Sequence, residues 1–143
     1  MPDQQLSGDD AITPSDRVAS LVDELTAEEK VSLVHGHVDP EGNATGYLPG
    51  VERLGIPELR LSDGPLGVRT PEPATAFPAA MALAATFDPN LAREQGETMG
   101  KEATARDQDV LLGPGLNLVR VPHCGRNFEY YSEDPVVTGA FAA

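Results

Sequence analysis

Leu59-Arg60-Leu61-Ser62-Asp63-Gly64-Pro65 is the stretch on which the fold class turns. Leu59, Arg60 and Leu61 alternate apolar and polar as a short strand does, and the run breaks abruptly at Ser62-Asp63-Gly64-Pro65. A second stretch has the same form: Asp109-Val110-Leu111-Leu112 stops at Gly113-Pro114-Gly115. Between the two lie a loop over 66–77, a short alanine-rich helix opening at Phe77-Pro78 and running to Ala85, and a long helix from Asp88-Pro89 to Arg106. Asp88 can cap that long helix and Pro89 suits its first position. Strand, long loop, helix, strand, long loop, helix is the βα alternation of a parallel α/β fold. Chemistry in such folds collects where strands give way to loops at their C-terminal ends, which singles out Asp63 and the segment 123–134.

Working outward, Asp134-Pro135 repeats the cap-then-proline signal and starts a last helix. On the long helix Ala92, Gly96, Gly100 and Ala103 share a face of small residues, which predicts close backbone approach to a neighbour. Upstream, Thr13-Pro14 opens a helix with an apolar stripe of Val18, Leu21, Val22 and Leu25. Thr26 and Glu29 form a capping box for a second helix, which Gly36 stops. Residues 36–57, rich in Gly, Pro and Asn, read as one long loop. Residues 1–12 read as a flexible acidic tail, leaving 13–143 as a single domain.

Composition narrows the function classes. The 143 residues carry 23 Asp plus Glu against 10 Lys plus Arg, a net charge of −13. Phosphate backbones and anionic lipids would repel such a chain, so neither nucleic acid nor a membrane is an expected partner. The acidity fits either an ordinary soluble acidic protein or a high-salt cytosol, where screening removes the mutual repulsion of surface carboxylates. The opening Met1-Pro2-Asp3-Gln4-Gln5-Leu6 has no basic residue and no apolar run, so the expected location is cytoplasmic, or outside by a route the sequence does not show. Cys124 is the single cysteine, so no internal disulfide forms. His35 and His37 flank Gly36, with no carboxylate or third His at ligand spacing, and no metal or cofactor is expected.

Two residues stand out chemically. Asp63 sits where a strand end delivers a carboxylate to a site; the same residue could instead bond its own turn. Arg126, in Gly125-Arg126-Asn127-Phe128-Glu129, offers a planar fork of donors that suits a carboxylate, a phosphate or vicinal hydroxyls. It could equally serve an internal salt bridge with Glu129, Glu133 or Asp134. Phe128, Tyr130 and Tyr131 beside it are either packing or a binding platform. No G-x-S-x-G elbow, phosphate loop or G-x-G-x-x-G turn is present.

Four segments, in order and spacing, resemble the start of family 3 glycoside hydrolases: Leu25 to Val31, Arg53 to Arg69, Ala76 to Ala80, and Leu112 to Asn117 running on to Cys124-Gly125-Arg126-Asn127-Phe128-Glu129-Tyr130-Tyr131-Ser132-Glu133-Asp134-Pro135. The last stretch is the most specific. The resemblance implies the N-terminal part of a TIM-like (β/α)8 barrel, incomplete here because such a barrel takes about 250 residues. It implies a β-glucosidase-like enzyme that hydrolyses terminal β-linked sugars with retention, taking a β-glucoside or oligosaccharide as substrate. Asp63 and Arg126 match the family's aspartate and arginine that bind the sugar in the −1 subsite. The family's nucleophile and acid/base lie later in the chain, and the nucleophile's Ser-Asp-Trp-like motif has no counterpart in a sequence with 0 Trp. The competing reading is a non-catalytic carbohydrate-binding or inert remnant of a truncated gene.

Overall fold

A computed structural model describes residues 16–143. The tail over 1–12 and the Thr13-Pro14 helix start lie outside the described residues. Helix α1 spans Asp16–Glu24 and α2 spans Ala27–Val34. The capping box at α2 closes in both directions. The Glu29 amide donates to Thr26 Oγ1 at 3.2 Å, and the Thr26 amide donates to Glu29 Oε2 at 2.8 Å. Arg53 then ties this helix start to the next segment, with its Nε on Glu29 Oε1 at 2.8 Å and its Nη2 on the Glu24 carbonyl at 2.9 Å.

The sheet has three strands in the order β1 (Gly46–Leu48), β2 (Leu59–Asp63), β3 (Val110–Leu112). β2 and β3 are parallel, with Leu61 opposite Val110 and Asp63 opposite Leu112. The βα alternation read from the sequence is therefore present, carried by α3 (Ala80–Ala84) and α4 (Pro89–Thr104) between the two strands. The long loop expected over 36–57 is corrected. It holds β1, which runs antiparallel to β2, and a 3-10 turn at Glu52–Leu54. Three residues are too few to show a period, and β1 owes its extended form to pairing with β2. Strand β2 also runs two residues further than expected, because the ladder to β3 continues through Ser62 and Asp63.

Salt bridges and an Asx-type loop bind β1 and its approach to β2. Asp39, fully buried at its carboxylate, accepts the amides of Glu41, Asn43 and Ala44 at 3.2, 2.7 and 2.9 Å. Burial by itself would raise its pKa, but those three donors together with Arg60 outweigh it and lower it. Arg60 also meets Glu58 at 2.8 Å and Glu41 at 3.2 Å.

The apolar core sits on the helical side. Ala80, Leu83 and Ala84 of α3 pack with Tyr131 and with Phe141 of α5 (Pro135–Ala142). The Tyr131 and Phe141 rings lie 5.6 Å apart. Asp88 and Asp134 cap α4 and α5 as the sequence indicates, each with proline next. The small-residue face of α4 behaves otherwise than expected. Ala103 is buried, but Gly96 and Gly100 have no neighbour within 4 Å of a Cβ position and border an open groove with Leu111, Tyr131 and Phe141.

Glu29 gives the fold a pH dependence. The Arg53 guanidinium first, and then the Thr26 amide, hold its carboxyl down from 4.5 to about 2. A depressed folded pKa stabilises the folded chain above the unfolded value, and that contribution disappears as pH falls through the folded one. The melting-temperature gap between wild type and Glu29→Gln should therefore be full above pH 4.5 and close as pH approaches about 2. Thermal melts across that window check it.

Candidate functional site

The site is built where β2 and β3 end. Ser62, next to last in β2, is fully buried. Its Oγ donates to the Arg69 carbonyl at 2.8 Å, and the Asp63 carbonyl lies within reach of the same proton at 3.1 Å. The Arg69 amide returns a bond to the Asp63 carbonyl at 3.0 Å. Residues 63–69 thus form a closed loop directly on the strand end. The following segment folds back over it: the Phe77 amide reaches the Leu66 carbonyl at 3.0 Å, and Gly67, at φ +127°, lies so close to Thr75 that a Cβ would stand 2.2 Å from its carbonyl oxygen. Only glycine fits a positive φ at that approach. Helix α4 anchors the far end, with Glu102 accepting from the Thr75 hydroxyl at 2.6 Å and from its amide at 3.1 Å.

The second wall comes from the segment after β3. Gly115 bridges to Tyr130, and a Cβ on Gly115 would stand 2.7 Å from the Glu129 carbonyl oxygen. The Val119 amide bonds the Ser132 carbonyl at 3.1 Å. These contacts lay the 3-10 turn Asn127–Glu129 alongside the β3 exit, and Asn127 Nδ2 pins it to the Val121 carbonyl at 2.9 Å.

A cleft of about 480 Å³ opens between the two walls, lined by Asp63, the loop through Ala76, Phe128 and Glu129. The Asp63 side chain is 37% exposed, and its carboxylate meets Arg69 at 3.5 Å. It is the last residue of β2 rather than the first after it, so its direction is set by the sheet ladder. Neither oxygen bonds a backbone amide of its own turn among the described residues, which removes the main ground for reading it as a turn former. Arg126 does make the salt bridge weighed in the sequence: its Nε and Nη2 meet Glu129 Oε2 at 2.8 and 2.6 Å. Its side chain nevertheless stays 70% exposed. That bond with Glu129 first, and then the Glu129 charge, raise the Arg126 pKa.

Arg69 is the cleft residue that sequence reasoning missed. Its signal was a guanidinium six positions beyond Asp63 across Gly64 and Gly67, where a tight loop returns the chain to the strand end. His35 and His37 stack at 4.1 Å with His37 Nε2 on Ser32 Oγ at 3.1 Å, away from the cleft. Among the described residues, no group of three or more His, Cys, Asp and Glu side chains could hold a metal, and no helix is long and apolar enough to cross a membrane. Chemically, the cleft presents the carboxylates of Asp63, Glu72 and Glu129 together with the Arg69 guanidinium, and Glu129 holds Arg126 at its side. Adjacent hydroxyls, each both donor and acceptor, satisfy such a set.

Gly64 makes the closeness of the two strand ends possible. A Cβ there would stand 2.1 Å from Leu111 Cδ1. Gly64→Ala should cost about 1–3 kcal/mol through overpacking, with part of the loss recovered by Leu111→Ala in the same protein. Thermal or urea melts of the single and double variants check it.

Known proteins share this fold. Residues 48–143 match the family model described as the glycosyl hydrolase family 3 N terminal domain. The beta-glucosidase BoGH3A of Bacteroides ovatus is 46% identical over 132 residues, covering 83% of this chain and 17% of that protein. The thermostable beta-glucosidase B of Acetivibrio thermocellus is 39% identical, over 88% of this chain and 18% of its own length. Among solved structures, the β-glucosidase DesR of Streptomyces venezuelae, in complex with D-glucose, superposes with a TM-score of 0.84 at 52% identity, covering 90% of this chain and 17% of that one. The β-glucosidase 3B of Thermotoga neapolitana, in complex with glucose, gives 0.81 at 41%, covering 89% and 20%. The chain therefore spans under a fifth of the length of the two curated relatives.

Proposed function

This chain belongs to glycosyl hydrolase family 3, and from that premise we propose that it supplies one side of the −1 sugar subsite of a β-glucosidase-type enzyme, hydrolysing terminal β-linked sugars with retention. The observation that carries the reading is the Asp63 carboxylate at the end of β2, opening into a cleft beside Arg69 whose opposite wall includes Glu129, the partner of Arg126. The glucose named with two of the solved relatives, a ring of adjacent hydroxyls, suits a cleft that offers carboxylate acceptors and a guanidinium donor.

Retaining hydrolysis needs a carboxylate nucleophile and a separate acid/base flanking the glycosidic bond. Neither role is assigned to a residue here. The work of this chain is binding and orientation. Asp63 accepts hydrogen bonds from two neighbouring sugar hydroxyls, while Arg69 and Arg126 donate to hydroxyl oxygens. Hydroxyl contacts of this kind tighten as the ring distorts toward the oxocarbenium-like state, so their removal acts on kcat as well as on KM.

In the full-length enzyme, Asp63→Asn should lower kcat/KM on an aryl β-glucoside by more than about a hundredfold, with much of the loss in kcat. Near-wild-type kcat/KM with an unchanged melt would remove Asp63 from the sugar site. Residues 1–143 purified alone should show no turnover of the same substrate, because a binding wall without nucleophile and acid cannot complete either chemical step. Turnover that Asp63→Ala abolishes would place the reacting groups within this chain after all.

A further inference from the structure

Arg126 raises a question that the sugar-site reading leaves open. A guanidinium whose side chain is 70% exposed has several open rotamers, and an arginine free to swing binds hydroxyls poorly because ordering it costs side-chain entropy. Something must hold its plane.

Glu129 has the geometry for that. Its side chain is only 15% exposed, against 70% for the arginine it binds. The 3-10 turn Asn127–Glu129 brings positions i and i+3 into register, and the Glu129 amide bonds the Arg126 carbonyl at 3.0 Å. The carboxylate takes both Nε and Nη2 of Arg126 on one oxygen, Oε2. Two bonds to one edge fix the plane of the guanidinium, and of its five N–H donors three remain without a partner among the described residues. The Glu129 backbone is itself fixed, packed under Gly115 at a distance that excludes a side chain. Glu129 also lines the Asp63 cleft, which Arg126 does not.

We infer that Glu129 is a positioning residue, which locks the Arg126 guanidinium in the orientation that serves the Asp63 cleft and leaves its remaining donors for substrate hydroxyls. The inference rests on the sugar-site reading of Asp63 and Arg126. Glu129 acts through Arg126, so the two side chains form one functional unit and their effects on the reaction do not add.

A double-mutant cycle in the full-length enzyme, assayed on an aryl β-glucoside with melts recorded for every variant, tests it. Arg126→Ala should lower kcat/KM by about a hundredfold, and Glu129→Gln, which keeps the shape and removes the charge, by about tenfold to a hundredfold, since small misplacements of binding groups cost that much. The double variant should be no worse than Arg126→Ala alone. Glu129→Asp, which keeps the charge on a shorter arm, should retain more activity than Glu129→Gln. Additive losses in the double variant would overturn the inference while leaving the site reading intact, as would a harmless Glu129→Gln, or a Glu129→Asp no better than Glu129→Gln. An Arg126→Ala enzyme with wild-type kcat/KM would overturn the role of Arg126 and the inference together.

Discussion

At the C-terminal ends of β2 and β3 the backbone of Gly113 lies against Gly64, and Gly64 lies against Leu111 with no room for a methyl group. That contact sets how far apart the two loops can start. The β2 loop leaves from Gly64 and returns to the strand end at Arg69; the β3 loop leaves from Gly113 and carries the 126–130 turn back alongside. Widen the contact and the cleft between them loses its shape, because Asp63 belongs to one wall and Glu129 to the other. The buried Ser62 hydroxyl and the α4 anchor at Glu102 then fix the first wall from either side.

Polar groups are distributed in keeping with that geometry. Arg60, Asp39 and Glu58 fasten β1 to β2 far from the cleft, and Arg53 with Glu29 fastens α2. These cations are consumed in structural pairs. Arg69 and Arg126 also have carboxylate partners, yet both remain largely exposed, which separates them from the structural set. In an acidic chain with 10 Lys plus Arg, the two exposed guanidinium groups offset the Asp63 and Glu129 carboxylates at the cleft.

Much of this was legible from the sequence where the cause is local. The capping box at Thr26 and Glu29, and the Asp-Pro starts of α4 and α5, are written in adjacent residues and appear as read. The position of Asp63 was legible because strand ends of parallel sheets carry chemistry. What escaped depends on pairing at a distance. Gly46–Leu48 is a strand only because β2 lies beside it, and Arg69 joins the cleft only because its amide closes onto Asp63. The small face of α4 was visible, but its packing partner was not: only Ala103 of the two ends is buried. Glu129 was visible as one of three possible partners for Arg126, and geometry chose among them.

The two carbonyl contacts of the Ser62 hydroxyl have a further consequence for how a ligand is received. Swinging loop 63–69 open would break the shorter of these contacts, to the Arg69 carbonyl, and the Arg69 amide bond to Asp63 with it, and weakening the bonding of a buried polar group is costly. The loop is therefore not a lid. Its ordering was completed when the chain folded, so a ligand entering the cleft meets a wall already in its final shape, and the entropy lost on association comes mainly from the ligand and from the exposed arginine side chains.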